Sequence, residues 1–404
     1  MNTLFSLIRN KTAIWIGLEK EKSQSIVSPL LAHIERAGHL RPPQKEAIET
    51  YLWIKFAGNN KKLGDLIREG LLFDDAIARE NDYYHTFGDN YLAHYLHQFF
   101  TDNGQKNLNK KLVRDPKGEK TDWSAFLDNL LHDYDYPNYL FSLPMGAGKT
   151  FLMACFIYLD LYFANLFKDD KRFAHNFVVF APQSSKTAIL PSLRTIKDFN
   201  PEWILPPVDA DRVKQSITIE ILDSLSSKRK DKLHGNNPNL EKVNRIKHSK
   251  DFGMVFITNA EKVVLERYSD EDRAIADDII RRQQNFFDKR TLDEITKLNE
   301  LREALSRIPN LTVILDEVHH SYGSNGNGEK KLRQAVGILN QHRNVNSVIG
   351  LSGTPYVKNT IEIEGETIRL NQIQDIVYNY ALNVGIGKFL KIPDVRRIDA
   401  NIKE

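Results

Sequence analysis

The sequence predicts an α/β protein, with a mostly parallel central sheet flanked by helices and a mainly helical region ahead of it. Three observations predict this. Short apolar runs rich in β-branched residues recur between residues 139 and 352. Segments of helical length separate several of them. One run leads directly into a glycine-rich turn and then a long apolar segment.

The runs occupy 139–143, 177–181, 217–222, 254–258, 312–316 and 348–352. Each is of strand length and nearly continuously apolar. A strand covered on both faces needs that pattern, and parallel sheets cover both faces because their crossover helices lie there. Helices are expected over 150–167, 188–199, 270–308 and 329–341. Strands alternating with helices point to a doubly wound domain. Residues 1–135 read as the mainly helical region: Ala47, Ile48, Tyr51, Leu52 and Phe56 recur on a helical period within 43–56. The α/β domain is expected over 136–375, with a hairpin at 361–370 around Gly365, and 376–404 reads as an exit segment. Polar stretches at 103–121, 224–251 and 321–331 read as connections or insertions. The second is strongly basic, which suits either a solvated loop or a wider nucleic-acid track.

Composition narrows the class. The chain has 404 residues, 41% hydrophobic and 27% charged, as an ordinary globular protein of two to three domains would have. Its net charge of +3 permits nucleic-acid binding without arguing for it. A single cysteine, Cys155, rules out an internal disulfide framework or a cysteine-cluster zinc site, and a reducing, cytoplasmic setting is expected. The first ten residues are too broken by polar side chains for a signal peptide. The most apolar window, 151–167, contains Asp160 and is expected to be a buried helix rather than a membrane span.

The chemistry begins at Met145-Gly146-Ala147-Gly148-Lys149-Thr150. Between a strand and a helix, these residues form a phosphate loop. Gly146 and Gly148 let backbone N–H groups turn toward phosphates. Lys149 reaches the β- and γ-phosphates, Thr150 offers its hydroxyl to Mg²⁺, and the helix N-terminus faces the same anion. Leu143 stands where the generic pattern has glycine. ATP and Mg²⁺ are the expected cofactors.

A second box, Asp316-Glu317-Val318-His319-His320, ends a buried strand, and a third, Ser352-Gly353-Thr354-Pro355, follows the next one. The carboxyl ends of parallel strands are where ligands bind. Asp316 suits an Mg²⁺ ligand and Glu317 the polarisation of an attacking water.

These three motifs, in this order, resemble superfamily 2 helicases and translocases. Within that group the chain is similar to the helicase (Res) subunit of type III restriction enzymes and related DEAD/DEAH-box proteins, from residue 139 onward. The resemblance implies a RecA-like first motor domain. It implies catalytic roles for Lys149, Glu317 and His319, and a coupling role for Ser352 and Thr354 between nucleotide state and domain closure. Pro182 and Lys186, after the second strand, resemble that family's first strand-contacting motif. Thr258 resembles the second, and DNA is the implied partner. Leu40-Arg41-Pro42-Pro43-Gln44 resembles its adenine-recognition motif, in which a glutamine amide pairs with the adenine edge. Gln44 precedes Lys149 by more than a hundred residues, so an insertion is expected between them.

Such motors use two RecA-like domains, the second supplying arginines to the transferred phosphoryl group. The stretch after Pro355 is too short for one. The chain is therefore expected to be the N-terminal half of a motor, as a fragment, a truncated gene product or one part of a split enzyme, and the partners it implies besides DNA are a chain supplying the second motor domain or a methyltransferase-type subunit. A non-catalytic nucleotide-dependent interaction module and one half of a split motor stand as alternatives.

Overall fold

The computed structural model describes residues 4–68, 134–144, 146–181, 194–222, 238–258, 263, 300–316, 318, 327–353, 360–363, 366–369 and 375–380. Among the described residues, four helices come first: α1 (Leu4–Glu21), α2 (Val27–Ala37), α3 (Pro42–Phe56) and the short α4 (Leu63–Arg68). Then follow β1 (Asn138–Ser142), α5 (Lys149–Leu166), β2 (Asn176–Phe180), α6 (Pro207–Ser216), β3 (Thr218–Ile221), α7 (Pro238–Ser249) and β4 (Met254–Thr258). The remainder is β5 (Leu311–Leu315), α8 (Asn327–Leu339), β6 (Val345–Ser352), β7 (Thr360–Ile363), β8 (Glu366–Arg369) and β9 (Asp375–Asn379).

Seven strands form one sheet in the order β3-β4-β2-β5-β6-β1-β9, and the pairs β3–β4, β4–β2, β2–β5, β6–β1 and β1–β9 are all parallel. With the helical N-terminal region, this is the RecA-like α/β architecture expected. β1, β2, β4 and β5 are buried at every residue, which is why they read as unbroken apolar runs. β3, at one edge of the sheet, is half-buried throughout. The hairpin expected over 361–370 is the antiparallel pair β7–β8.

The chain divides into two compact units. The first comprises Met1–Phe156, Glu202–Pro206 and Val348–Glu404. In it α1 packs on α3 and β9. Tyr51 stacks on Phe156 with ring centroids 4.2 Å apart, and Phe141 lies against both Phe156 and Tyr378. The Tyr378 hydroxyl donates to the Pro43 carbonyl at 3.0 Å, tying β9 to the first turn of α3. Burial, together with Glu46 beside it, raises the Tyr378 phenol well above its ordinary range, so it stays a donor.

The second unit comprises Ile157–Pro201 and Pro207–Ser347. A fully buried Asn176 organises the start of β2: its amide donates to the Asp251 and Pro309 carbonyls at 2.7 and 2.8 Å and accepts from Met254 N–H at 3.1 Å. The strand thus begins on a polar residue, one position before the apolar run; β1 likewise begins on Asn138.

Three elements depart from the sequence expectations, the first being α6 over Pro207–Ser216, where no helix was expected. Residues 238–249, read as part of a connection, form α7. Pro238 starts it, and Val243 and Ile246 bury a short apolar stripe hidden among basic residues. Tyr378 and Asn379, read with the exit segment, belong to β9 beside β1. α5 is long and apolar enough to cross a membrane, but 72% of that window is buried inside the protein, as in a core helix.

Candidate nucleotide-binding site

The phosphate loop follows β1 in the first unit. Leu143 N–H donates to the Ser352 carbonyl at 2.9 Å, and Ala147 N–H to the Pro144 carbonyl at 3.2 Å. Gly146 and Gly148 then take φ of +79° and +88°, values that L-residues rarely adopt. Gly148 caps α5, its carbonyl accepting from Leu152 N–H at 3.0 Å. The N–H groups of a helix's first turn have no acceptor within the helix, and here they belong to Lys149, Thr150 and Phe151. Lys149 is buried, and its ammonium donates to the Leu143 carbonyl at 3.3 Å. Leu143 itself is fully buried with an ordinary negative φ, so glycine is not needed there; the turn starts after it.

Gln44 reaches this loop from α3. Pro42 and Pro43 open that helix, the Gln44 amide oxygen accepts from Arg41 N–H at 2.9 Å, and Gln44 N–H donates to the Arg41 carbonyl at 2.9 Å. Its amide nitrogen lies against Gly148: a Cβ added there would come within 2.2 Å of it. The Arg41 guanidinium donates to the Gly146 carbonyl at 3.0 Å. Sequence separation therefore does not keep this motif from the loop. The arginine contact had no sequence signal beyond its place in the motif.

Ser352, the last residue of β6, is fully buried and pairs in register with Ser142. Ala147 and Thr150 are half-buried.

In the second unit, Asp316 sits in the turn after β5, almost buried, with its N–H donating to the Phe180 carbonyl at 3.0 Å. Thr258 ends β4 with no exposure, and its hydroxyl donates to the Leu222 carbonyl at 3.3 Å. That hydroxyl closes a strand end rather than facing solvent. The described half of the basic stretch is also engaged with the protein. Lys242, Lys247 and Lys250 donate to the carbonyls of Ile221, Ala304 and Ser216, and Arg245 pairs with Glu220. Burial lowers the Lys247 and Lys250 pKa values accordingly.

Met145, Glu317, His319, Thr354, Pro182 and Lys186 lie outside the described residues. Among the described residues, no group of three or more His, Cys, Asp or Glu side chains could hold a metal.

No individual curated protein matches the chain. A family model does: that described as type III restriction enzyme, res subunit, matches residues 102–357, well over half of the chain. The match takes in the phosphate loop and the motifs at Asp316 and Ser352, and begins after Gln44. With an all-parallel sheet carrying a phosphate loop at the end of β1, it shows that the chain belongs to the family of the Res subunit of type III restriction enzymes, with a helicase-like, ATP-driven motor domain.

Proposed function

We propose that this domain drives a DNA translocase or helicase of the type III restriction kind, binding and hydrolysing ATP to move along DNA or change its grip on it. The observation that carries the reading is the loop's wiring. Lys149 is held by the carbonyl of Leu143, and the N–H of the same residue is held by Ser352. A lysine leaving Leu143 for a phosphate alters the residue that β6 grips, which supports coupling through Ser352 and Thr354.

The roles follow from each side chain. Met145, Gly146 and Gly148 present N–H groups to the phosphates, Ala147 shapes the loop around them by closing its turn on Pro144, and Lys149 neutralises the phosphate charge as it grows. Mg²⁺, when bound with ATP, supplies charge neutralisation on the phosphate oxygens. Thr150 and Asp316 are its ligands, directly or through water. Glu317 accepts a proton from the attacking water, and His319 links that end of the site to the third motif. Gln44 reads the adenine edge, from a helical region at 1–135 that serves the α/β domain at 136–375. Pro182, Lys186 and the backbone around Thr258 hold the DNA phosphates of one strand.

The test is ATP hydrolysis by the protein, with and without duplex DNA, alongside Lys149→Ala. Hydrolysis by this chain alone is expected to be slow, to rise with DNA and to be abolished in Lys149→Ala, with ATP·Mg²⁺ binding lost in the same variant. Hydrolysis indifferent to DNA, or surviving in the variant, would sink the translocase reading. Tight ATP binding with no turnover under any condition would favour a nucleotide-dependent interaction module.

A further inference from the structure

The segment that carries Gln44 is held in place from a distant part of the chain. Gln44 hangs from the peptide that joins it to Pro43, in the first turn of α3. That peptide is pinned at both of its polar groups. Its N–H donates to the Arg41 carbonyl at 2.9 Å, and its carbonyl accepts from the Tyr378 hydroxyl at 3.0 Å. Arg41 is a neighbour, whereas Tyr378 comes from β9, 335 residues beyond Pro43.

A break in strand register puts the tyrosine there. β9 runs parallel to β1, with Leu140 opposite Ile376 and Phe141 opposite Tyr378, so Val377 is the extra residue of a bulge. In unbroken register Tyr378 would stand opposite Ser142. Faces alternate along a strand, so the bulge moves Tyr378 from the face of Ser142 to the face of Phe141. There its ring lies beside Phe141, which packs on Phe156 of α5. The hydroxyl also reaches the Glu46 carboxylate at 3.4 Å, and burial with that charge beside it keeps the phenol protonated, a donor to the Pro43 carbonyl. Because β1 runs on into the phosphate loop, one strand pair sets the place of the loop and of the tyrosine.

We propose that Tyr378 is a positioning residue for base selection: by fixing the Pro43–Gln44 peptide, its hydroxyl holds the Gln44 amide against Gly148, where it can meet the adenine edge. This rests on the reading of Gln44 given above. A glutamine amide pairs with adenine through two bonds of fixed direction, so a small tilt of its peptide weakens both. The loss falls on ATP. It spares GTP, whose base edge the amide does not match, and inorganic tripolyphosphate, which has no base.

The experiment measures Mg²⁺-dependent binding of ATP, GTP and tripolyphosphate to the full chain and to its Tyr378→Phe, Phe141→Leu, Gln44→Ala and Gln44→Ala/Tyr378→Phe variants. In Tyr378→Phe, which keeps the ring, ATP affinity falls about 3- to 10-fold, the lower part of the range for losing a paired adenine contact, while GTP and tripolyphosphate hold. The ATP-to-GTP affinity ratio does not depend on the fraction folded, since unfolding weakens all three ligands alike. Phe141→Leu, which loosens the same ring cluster but keeps the hydroxyl, leaves that ratio unchanged. With Gln44 already replaced, Tyr378→Phe changes it no further. An unchanged ratio in Tyr378→Phe overturns the inference. So does the same change of ratio in Phe141→Leu, or a full further loss in the double variant. If the unmodified protein does not prefer ATP to GTP, or keeps that preference in Gln44→Ala, the adenine reading of Gln44 itself falls, and this inference with it.

Discussion

Gly148→Ala gives the sharpest test of whether Gln44 and the phosphate loop act as one unit. The new Cβ meets two obstacles. At φ +88° any L-residue is strained, by about 1–3 kcal/mol. The methyl also falls 2.2 Å from the Gln44 amide nitrogen and 3.4 Å from its Cδ, so the amide must swing away and give up its bond to Arg41 N–H. Losing that bond costs a further ~0.5–1.5 kcal/mol. Gly146→Ala is the control, because Gly146 carries similar strain at φ +79° but has open space where its Cβ would go. That bond is made without nucleotide, so its loss is read in folding stability, where Gly148→Ala is expected to fall about 0.5–1.5 kcal/mol further than Gly146→Ala. Urea unfolding of Gly146→Ala, Gly148→Ala, Gln44→Ala and the Gln44→Ala/Gly148→Ala double variant completes the cycle. If the damage runs through Gln44, Gly148→Ala adds little beyond strain once Gln44 is gone, and the coupling is about 0.5 kcal/mol or more. Equal effects of the two glycine changes, or additive losses in the double variant, would refute the reasoning.

Further outcomes follow from the second unit. Asn176→Ala strands the buried Met254 N–H and removes the donor to two part-buried carbonyls, and is expected to cost about 1–3 kcal/mol in urea unfolding; a loss below ~0.5 kcal/mol would contradict the organising role given to that amide. Changing Lys242, Lys247 and Lys250 together to Met is expected to lower stability but leave the salt dependence of DNA binding unchanged, since these ammonium groups already serve carbonyls; a shallower salt slope would place them on the DNA. Burial depresses the His175 pKa below its ordinary 6.5, so its neutral form is the native one. The stability this provides is fully present above the unfolded value and is lost as pH falls through the folded value. His175→Gln is therefore expected to lose less melting temperature than the unmodified protein between pH 7.5 and pH 5, and an identical drop would remove His175 from the acid sensitivity.

Much of the candidate nucleotide site was legible because it is local. A loop that turns its N–H groups toward phosphate needs glycines at set positions within a few residues, and a strand buried on both faces must be a continuous apolar run. The phosphate loop, six of the seven strands of the main sheet and the α5 and α8 helices follow from such short-range rules. β9 escaped because Tyr378 and Asn379 read as a departing segment, and only pairing with β1 makes them a strand. α7 escaped because basic residues outnumber its buried stripe. The same lysines illustrate the limit for function. Charge in sequence is a count, whereas charge in the fold is what remains after carbonyls such as those of Ile221, Ala304 and Ser216 have taken their share.

The sequence alone determined the family and the motifs that carry the proposed site: a glycine loop at Gly146–Thr150, an acidic box at Asp316 and a third motif at Ser352, on a parallel sheet. Tertiary structure alone decided what surrounds that loop. It set Gln44 against Gly148 and Arg41 against Gly146, joined Leu143 to Ser352, and brought Trp203 between Phe151 and His39. These contacts join residues far apart in the chain through side-chain hydrogen bonds and ring stacking. No local propensity encodes such contacts, and they exist only once the helical region and the sheet have packed.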